Sequence, residues 1–243
     1  MNGQELCGSG ARAAQAAEPS AVQGASLYPG AMERPVLIVF DLDGTIADSR
    51  ELARRSYKHV FAELGYGEIT DELADSFNGP DADEVCRVMG VGPDRRSEYD
   101  RLVDEVTDAL LGEAGRAFPG TQEMLARLAP HAHLAILTNG TQRYCEACMR
   151  LFGFAPYIEL HSGFVSGVSK AQRMRMWAQE LGVRRVIAVG DRATDIANAR
   201  AAGAVAVAVT YGMGTREELR DADCLCGTTD ELAARCLSLI AAP

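Results

Sequence analysis

The sequence predicts an α/β protein built on a doubly wound parallel sheet, with an all-helical segment inserted after the first strand. Short, nearly continuous apolar runs alternate with helical patterns, which is typical of strands that are buried on both faces of a sheet. Between residues 46 and 118 this alternation stops, and the chain shows only helical patterns. Because unstructured loops of that length are rare, the interval is predicted to form a small helical unit.

Each predicted element rests on a local pattern. Apolar runs such as "VLIVF" at 36–40 and "HLAIL" at 133–137 predict strands, and glycines at 182 and 203 predict helix ends. The predicted strands are 36–40, 133–137, 186–189, 204–209 and 222–226. The predicted helices of the sheet-forming part are 121–129, 141–152, 169–181, 192–202 and 228–240. Within the insertion, helical patterns cover 49–64, 70–77, 81–89 and 94–112.

Composition excludes several classes of partner. The chain has 243 residues and a formal net charge of -10, which disfavours nucleic acid and anionic membrane surfaces as partners. No apolar stretch is long enough to span a bilayer. Residues 1–34 lack the apolar segment of a secretory signal and are predicted to be a flexible tail. Seven cysteines, an odd number, together with that missing signal predict a cytoplasmic protein.

Polar residues follow three of the predicted strands at the point where each strand ends. Asp41-Leu42-Asp43-Gly44-Thr45 follows the first strand, Thr138-Asn139-Gly140 follows the second, and Asp191 and Asp195 follow the third. Taken singly, each stretch is typical of turns and helix caps. Because ligands of parallel α/β sheets bind at the carboxyl ends of the strands, their coincidence at one edge indicates a functional site.

Three of these carboxylates are expected to meet, and like charges at close range need a compensating cation. Asp41, Asp43 and Asp191 offer the oxygen ligands that Mg²⁺ prefers, and Mg²⁺ commonly shares its coordination sphere with a substrate phosphate. Lys170 adds a positive charge at the start of a predicted helix, where Ser169 is a suitable N-cap. Taken alone, Lys170 would be an ordinary solvated lysine.

These motifs, in this order, resemble the haloacid dehalogenase-like hydrolase superfamily, in its branch with a helical cap inserted after the first strand. The matching segments are "DLDGTIADS" (41–49), "LTNG" (137–140), Lys170 and "GDRATDIANARAAG" (190–203). One departure is that Ala171 follows Lys170, where many relatives have proline. The resemblance covers about 35–240. It implies a Rossmann-like core at 35–47 and 119–243 and a helical cap domain at 48–118.

The resemblance also implies a role for each site residue. Asp41 would be the nucleophile, Asp43 the general acid and base, and Lys170 the residue that neutralises charge during transfer. Thr138 and Asn139 would bind phosphate oxygens, with Gly44 letting the backbone turn close to the phosphate. Asp41, the carbonyl of Asp43 and Asp191 would ligate Mg²⁺, and Asp195 would support the metal shell or Lys170.

Asp43 favours phosphoryl transfer, because the dehalogenases of this superfamily lack an acid/base aspartate at that position. Residues 207–232 resemble phosphoglycolate phosphatase-like proteins. We therefore expect a magnesium-dependent phosphatase of a small phosphorylated metabolite, acting through an aspartyl-phosphate as a monomer or homodimer. A β-phosphoglucomutase-like isomerase and a non-catalytic phosphate-binding scaffold are the alternatives.

The helical cap is expected to select the substrate, because it would close over the site. Asn78-Gly79-Pro80 is the candidate loop that reaches the substrate. Four cationic residues of the cap are candidates for binding a substrate carboxylate, although most of them are expected to lie on solvated helix faces. These residues are Arg50, Arg54, Lys58 and Arg87.

Overall fold

The computed structural model describes residues 34–242 of the chain, so the predicted tail at 1–34 lies outside this range except for its last residue. The strands of the described part are β1 (Val36–Phe40), β2 (Ala47–Asp48), β3 (Arg116–Ala117), β4 (His133–Leu137), β5 (Leu160–Ser162), β6 (Arg185–Gly190), β7 (Val205–Val209) and β8 (Cys224–Cys226). The helices are α1 (Arg50–Glu63), α2 (Asp71–Ser76), α3 (Ala82–Met89), α4 (Arg96–Ala114), α5 (Thr121–Leu128), α6 (Gln142–Leu151), α7 (Lys170–Leu181), α8 (Ala193–Ala202) and α9 (Thr229–Ala241).

A parallel six-stranded sheet in the order β5-β4-β1-β6-β7-β8 forms the centre of the molecule. All five residues of β1 are buried, because helices cover both faces of the sheet. Ile38 and Phe40 point toward the layer that contains α5, α6 and α9, whereas Leu37 and Val39 point toward α7 and α8. The predicted doubly wound α/β fold is confirmed. The order of strands also changes direction at β1, since β4 lies on one side of it and β6 on the other.

The helices α1 to α4 lie between β2 and β3 and have a separate apolar interior. Phe61 is fully buried at its centre, and its ring contacts those of Tyr57, Tyr66, Phe77 and Tyr99. β2 and β3 pair antiparallel, so the two chain segments that enter and leave this helical unit run side by side. The pairing brings both connections to one place, next to the end of β1.

The structure adds a strand that the sequence pattern did not predict. β5 has three residues, Leu160-His161-Ser162, and pairs with β4 at the edge of the sheet. The run is too short and too polar to stand out as a strand, and its pairing depends on a neighbour that lies more than twenty residues away in sequence. His161 is the middle residue of this edge strand.

The described part of the chain begins with a residue that is anchored to the core. Arg34 falls at the end of the predicted tail, yet its side chain is 6% exposed and pairs with Glu159. No helix within 34–242 combines the length and the apolar character needed to cross a membrane.

Candidate active site

The polar motifs converge at the carboxyl ends of three adjacent central strands. Asp41 follows β1, Thr138 follows β4 and Asp191 follows β6. The backbone N–H of Asp41 donates to the carbonyl of Val189 at 2.8 Å, which extends the pairing of β1 with β6 up to the motif. In an open α/β sheet a crevice forms where the strand order reverses, and ligands bind in it. These residues lie at that crevice.

Asp41 and Asp195 share one lysine. Nζ of Lys170 lies 2.7 Å from Oδ1 of Asp41 and 3.0 Å from Oδ1 of Asp195, with both carboxylates 11% exposed. Ser169 and Gln172 form a capping box at the start of α7, which fixes the first turn from which Lys170 projects. Burial disfavours the charge of Lys170, but the two carboxylates outweigh this and raise its pKa above the ordinary value. Lys170 is therefore held as a cation.

Asp43 is oriented by three hydroxyl groups. Ser49 and Tyr144 each donate to its Oδ1 at 2.6 Å, and Thr138 donates to its Oδ2 at 3.1 Å. Burial and the nearby charge of Asp43 raise the pKa of Tyr144 well above its ordinary value, so its O–H is retained as a donor. A hydroxyl can also turn and accept a hydrogen bond, so the same three groups suit both protonation states of Asp43.

Tyr144 was not among the predicted site residues. It lies on α6, 101 positions from Asp43, and no motif marks it. The only sequence signal is its place in the first turn of the helix that follows β4, where side chains return toward the strand ends. Ser49 lies within the first motif, but its bond to Asp43 depends on the way the chain turns back through β2.

Asp191 is packed against glycine backbone. It is 1% exposed, and its Oδ2 accepts a hydrogen bond from the N–H of Met213 at 2.6 Å. Gly44 has φ +74°, and a Cβ at this position would lie 2.3 Å from Oδ2 of Asp191. The N–H of Gly44 donates to the carbonyl of Ala47 at 2.8 Å within the turn. Gly44 thus contributes through its missing side chain, which lets Asp191 approach.

The charge balance of the site favours a bound cation. Four carboxylates, those of Asp41, Asp43, Asp191 and Asp195, surround the crevice, whereas Lys170 contacts only two of them. Burial raises the pKa of Asp41 well above its ordinary value despite the attraction of Lys170. Burial also raises the pKa of Asp191, to about 6. In both residues burial is the largest cause, because it disfavours the charged carboxylate, and the neighbouring carboxylates add to it.

The donor set around this charge fits Mg²⁺. Asp41, Asp191 and Asp195 can each place one carboxylate oxygen within 4.8 Å of the others, and this is the group of metal-binding type found within 34–242. Asp195 already accepts from Lys170 at 3.0 Å through Oδ1 and from the N–H of Arg192 at 3.2 Å through Oδ2. Two fixed donors leave Asp195 better suited to holding Lys170 than to holding a metal. All of the atoms that could ligate a metal here are oxygens, the ligands that Mg²⁺ prefers.

The strand-end residues and the helical unit line an open cleft. The loop Asn78-Gly79-Pro80 lies at its edge and is bound by two side chains from the sheet-forming part. Nδ2 of Asn139 donates to the carbonyl of Gly79 at 2.7 Å, and Nη1 of Arg192 donates to the carbonyl of Asn78 at 2.6 Å. The loop that was expected to reach the substrate therefore lines the cleft and is held over it.

The four cationic candidates of the helical unit do not line this cleft. Arg54 pairs with Asp75 at 2.7 Å, Lys58 pairs with Asp71, and Arg87 pairs with Glu84 at 2.6 Å. Arg50 donates to the carbonyl of Gly212 at 3.4 Å and is exposed. The other expectation for these four residues, that most of them lie on solvated helix faces, describes them correctly.

The doubly wound α/β core has a carboxylate-rich crevice where the strand order reverses, and a helical insertion covers this crevice. These features define an α/β protein whose site lies at the carboxyl ends of its parallel strands. The chain belongs to the haloacid dehalogenase-like hydrolase family, whose model matches residues 38–209. The resemblance that the motifs indicated is confirmed.

Named relatives include two kinds of phosphoryl-transfer protein. The chain is 30% identical over 190 residues to the tyrosine-protein kinase PtkA of Mycobacterium tuberculosis, covering 75% of this chain but only 64% of the kinase. It is 28% identical over 197 residues to the phosphoglycolate phosphatase of Neisseria meningitidis, covering 76% of this chain and 84% of that protein. Among solved structures, a predicted phosphatase from Clostridium acetobutylicum superposes with a TM-score of 0.73 at 22% identity, covering 83% of this chain and 98% of that one.

Proposed function

We propose that this chain is a magnesium-dependent phosphatase that hydrolyses a small phosphate monoester through an aspartyl-phosphate on Asp41. One observation carries the proposal. Asp41, paired with Lys170 at 2.7 Å, and Asp43, held by three hydroxyls, line the same cleft at the ends of the central strands. A nucleophile and a separate acid/base group in one crevice are what two-step phosphoryl transfer requires.

In the first step, a carboxylate oxygen of Asp41 attacks phosphorus and forms a P–O bond, while the bond from phosphorus to the ester oxygen breaks. Asp43 gives its proton to that oxygen, so the leaving group departs as a neutral alcohol. Lys170 lies against Asp41 and holds positive charge next to the transferring group. Thr138 and the backbone of Asn139 are proposed to bind phosphate oxygens at the end of β4.

In the second step, water attacks the phosphorus of the aspartyl-phosphate. Asp43, now a carboxylate, accepts a proton from the water, and the bond between phosphorus and Asp41 breaks to release inorganic phosphate. The three hydroxyls around Asp43 suit both roles because each can donate to the carboxylate or accept from the acid. Their positions keep Asp43 oriented through the cycle.

We propose that Mg²⁺ is held by the carboxylates of Asp41 and Asp191 and by the backbone carbonyl of Asp43. When bound, it would supply positive charge that offsets the buried carboxylates and attracts the phosphate dianion. Asp195 is proposed to support the site by fixing Lys170. Gly44 supports it by giving Asp191 room to approach.

The similarity to phosphoglycolate phosphatases supports a small phosphorylated metabolite as the substrate. We further propose that residues 48–118 act as a cap over a core formed by 35–47 and 119–243. The six described cysteines form no disulfide, which supports the proposed cytoplasmic location. We propose that the enzyme acts as a monomer or homodimer.

Transfer to a tyrosine hydroxyl is a second candidate, favoured by the 30% identity to the mycobacterial kinase. The two reactions differ in what accepts the phosphoryl group, which is water in one and a phenol in the other. A β-phosphoglucomutase-like isomerase would use the same two aspartates and would yield an isomeric sugar phosphate.

The proposal is tested with a panel of phosphate monoesters in the presence of Mg²⁺, followed by release of inorganic phosphate. We expect turnover of at least one ester, loss of turnover in Asp41→Asn, and a phosphorylated Asp41 peptide after rapid acid quench. Labelled ATP with a tyrosine peptide tests the kinase, and product analysis of sugar phosphates tests the isomerase. A protein that is inert toward the whole panel would favour the non-catalytic scaffold.

A further inference from the structure

The two walls of the cleft differ in charge. The wall formed by the sheet carries Lys170 and Arg192, which are the cationic side chains that line the cleft in the described part of the chain. Both are already engaged, Lys170 by Asp41 and Asp195, and Arg192 by the carbonyl of Asn78 and the carboxylate of Glu218. A substrate carboxylate would therefore meet no uncommitted cation in the cleft.

The wall formed by the helical unit is apolar, with its ionisable carboxyl groups on α4. Asp100 is paired with Arg96 at 2.8 Å, but Asp104 accepts only from the hydroxyl of Thr141, at 2.7 Å, and has no cation partner within 34–242. Asp104 thus adds negative charge that an anionic leaving group would have to approach. The apolar residues of this wall are Leu52, Ala53, Tyr57, Val60, Phe77, Pro80, Ala82, Tyr99 and Val103.

Ser56 supplies an independent observation on the same wall. Its side chain is 5% exposed, lines the cleft and lies one turn of α1 from both Leu52 and Val60. Its Oγ is the buried side-chain polar atom without a hydrogen-bond partner in the described part of the chain. Because that oxygen has almost no exposed surface, Ser56 offers the cleft no hydrogen-bonding group, in keeping with the apolar character of this wall.

We propose that the cleft takes a phosphate monoester whose leaving group is an uncharged alcohol or phenol with a ring-sized apolar body. The phosphate would lie at the strand ends and the apolar body against the helical wall. The inference disfavours leaving groups that carry a carboxylate, such as glycolate. The identity of the leaving group in the reaction rests on the proposed phosphatase activity, but the preference in ligand binding does not.

The test compares benzyl phosphate with 4-(phosphonooxymethyl)benzoate, which carries one added carboxylate on the same ring. Their binding to the Asp41→Asn variant with Mg²⁺ is measured by calorimetry, so that neither ligand is consumed. We expect benzyl phosphate to bind at least ten-fold more tightly. Equal or tighter binding of the carboxylate analogue, or of phosphoglycolate, would overturn the proposal.

Two substitutions on α4 locate the source of this discrimination. Asp104→Asn is expected to reduce the ratio of the two affinities several-fold. Asp108→Asn is the matched control, because Asp108 lies one turn away, pairs with Arg143 of α6 and does not line the cleft. It removes the same charge and also weakens a contact to α6, but it should leave the ratio unchanged. A similar change in both variants would contradict a local effect of Asp104.

Ser56→Ala is a second control on the helical wall. Because its Oγ is buried, removal of the hydroxyl should leave the ratio of the two affinities unchanged, and a several-fold change in the ratio would contradict an apolar wall. Turnover by the wild-type protein separates the two proposals. If no ester is hydrolysed but the ten-fold preference in binding holds, the phosphatase fails and the inference stands. If esters are hydrolysed with no preference, the inference fails alone.

Discussion

The sheet side and the helical side of the cleft are built on different physical principles. On the sheet side, buried charges are fixed by short hydrogen bonds between residues that are far apart in sequence, such as Lys170 with Asp41 and Tyr144 with Asp43. On the helical side, aromatic and aliphatic side chains pack around Phe61, and the one buried unpaired hydroxyl of the described residues belongs to Ser56. The contrast teaches that the proposed phosphoryl transfer depends on directional hydrogen bonds, whereas the proposed recognition of the leaving group depends on packing.

This difference predicts that substitutions on the two sides will affect different measured quantities. Changes on the sheet side should lower the rate of phosphoryl transfer with little effect on discrimination between leaving groups of different charge. Changes on the helical side should alter stability and discrimination while the phosphorylated intermediate still forms.

The largest effect is expected for Asp41→Asn. Loss of the nucleophile should lower kcat by roughly 10⁴-fold or more, as removal of covalent nucleophiles does in other enzymes. The free energy of unfolding, measured with urea in the presence of a chelator, should stay equal or rise, because one of four clustered carboxylates is removed. Asp48→Asn is the control, since Asp48 pairs with Arg116 outside the cleft. A strong loss of stability in Asp41→Asn would contradict this view of the site.

Phe61→Ala should have the largest effect on the helical side. Truncation of this fully buried ring is expected to lower the free energy of unfolding by about 3–5 kcal/mol. It should also reduce the preference for benzyl phosphate, because Tyr57, Phe77 and Tyr99 contact both Phe61 and the cleft. Phe154→Ala, at an equally buried position of the sheet-forming part, should cost similar stability and leave the preference unchanged. If both variants reduced the preference for benzyl phosphate equally, the assignment of recognition to the helical side would be contradicted.

Tyr144→Phe isolates a single hydrogen bond to Asp43. We expect kcat/KM to fall about 10- to 100-fold for alkyl phosphates, which need a proton on the leaving oxygen. The loss should be much smaller for p-nitrophenyl phosphate, because its leaving group departs as a stable anion. Tyr157→Phe is the control, since Tyr157 packs on the same side of the sheet but does not line the cleft. An equal loss for both kinds of ester would show that Tyr144 does not act through Asp43.

Arg192→Ala tests the connection between the two sides. Its hydrogen bond to the carbonyl of Asn78 involves a charged donor, for which about 1.5–3 kcal/mol is typical. Its removal should speed amide hydrogen exchange at residues 78–80 and raise KM about ten-fold. Arg175→Ala removes an arginine bond to the carbonyl of Ala201, on the far helices, and should change neither quantity. Unaltered exchange at 78–80 would mean that the loop is held by other contacts.

The smallest effect concerns pH and the sheet side alone. Burial opposes the charge of Glu159, but hydrogen bonds from His133 and Arg34 outweigh it and lower the pKa of Glu159. A lowered folded-state pKa stabilises the fold above the ordinary pKa of glutamate, about 4.3, and this contribution is lost as pH falls through the folded value. Wild type should therefore exceed Glu159→Gln in free energy of unfolding by about 1 kcal/mol or less, since the group is partly exposed.

The difference between wild type and Glu159→Gln should shrink as pH falls below about 4, where the carboxylate becomes protonated. Glu113→Gln on the helical side is the comparison, because Glu113 pairs with Arg55 at the exposed surface. Its variant should show no measurable dependence of the difference on pH. A pH-independent difference for Glu159→Gln would show that the charge of Glu159 does not contribute to the free energy of unfolding.

Much of the fold could be predicted because its signals are local. The strands at 36–40 and 133–137 were predicted with their observed bounds, since each is a continuous apolar run that is buried on both faces. β5 was missed because its three residues carry no pattern of their own. The two-residue strands β2 and β3 were missed for the same reason, since their pairing depends on how the helical unit returns to the sheet.

The sequence by itself determined which residues meet at the strand ends. Asp41, Thr138 and Asp191 each follow a strand directly, so the parallel topology alone brings them to one edge of the sheet. Only the tertiary structure decided that Tyr144 reaches Asp43, that Arg54 and Lys58 are paired away from the cleft, and that the Ser56 hydroxyl is buried without a partner among the described residues. The physical reason is that the topology of the sheet fixes the position of each strand end in the fold. The partner of a helical side chain, by contrast, is set by which faces pack together and by which charges are near enough to pair.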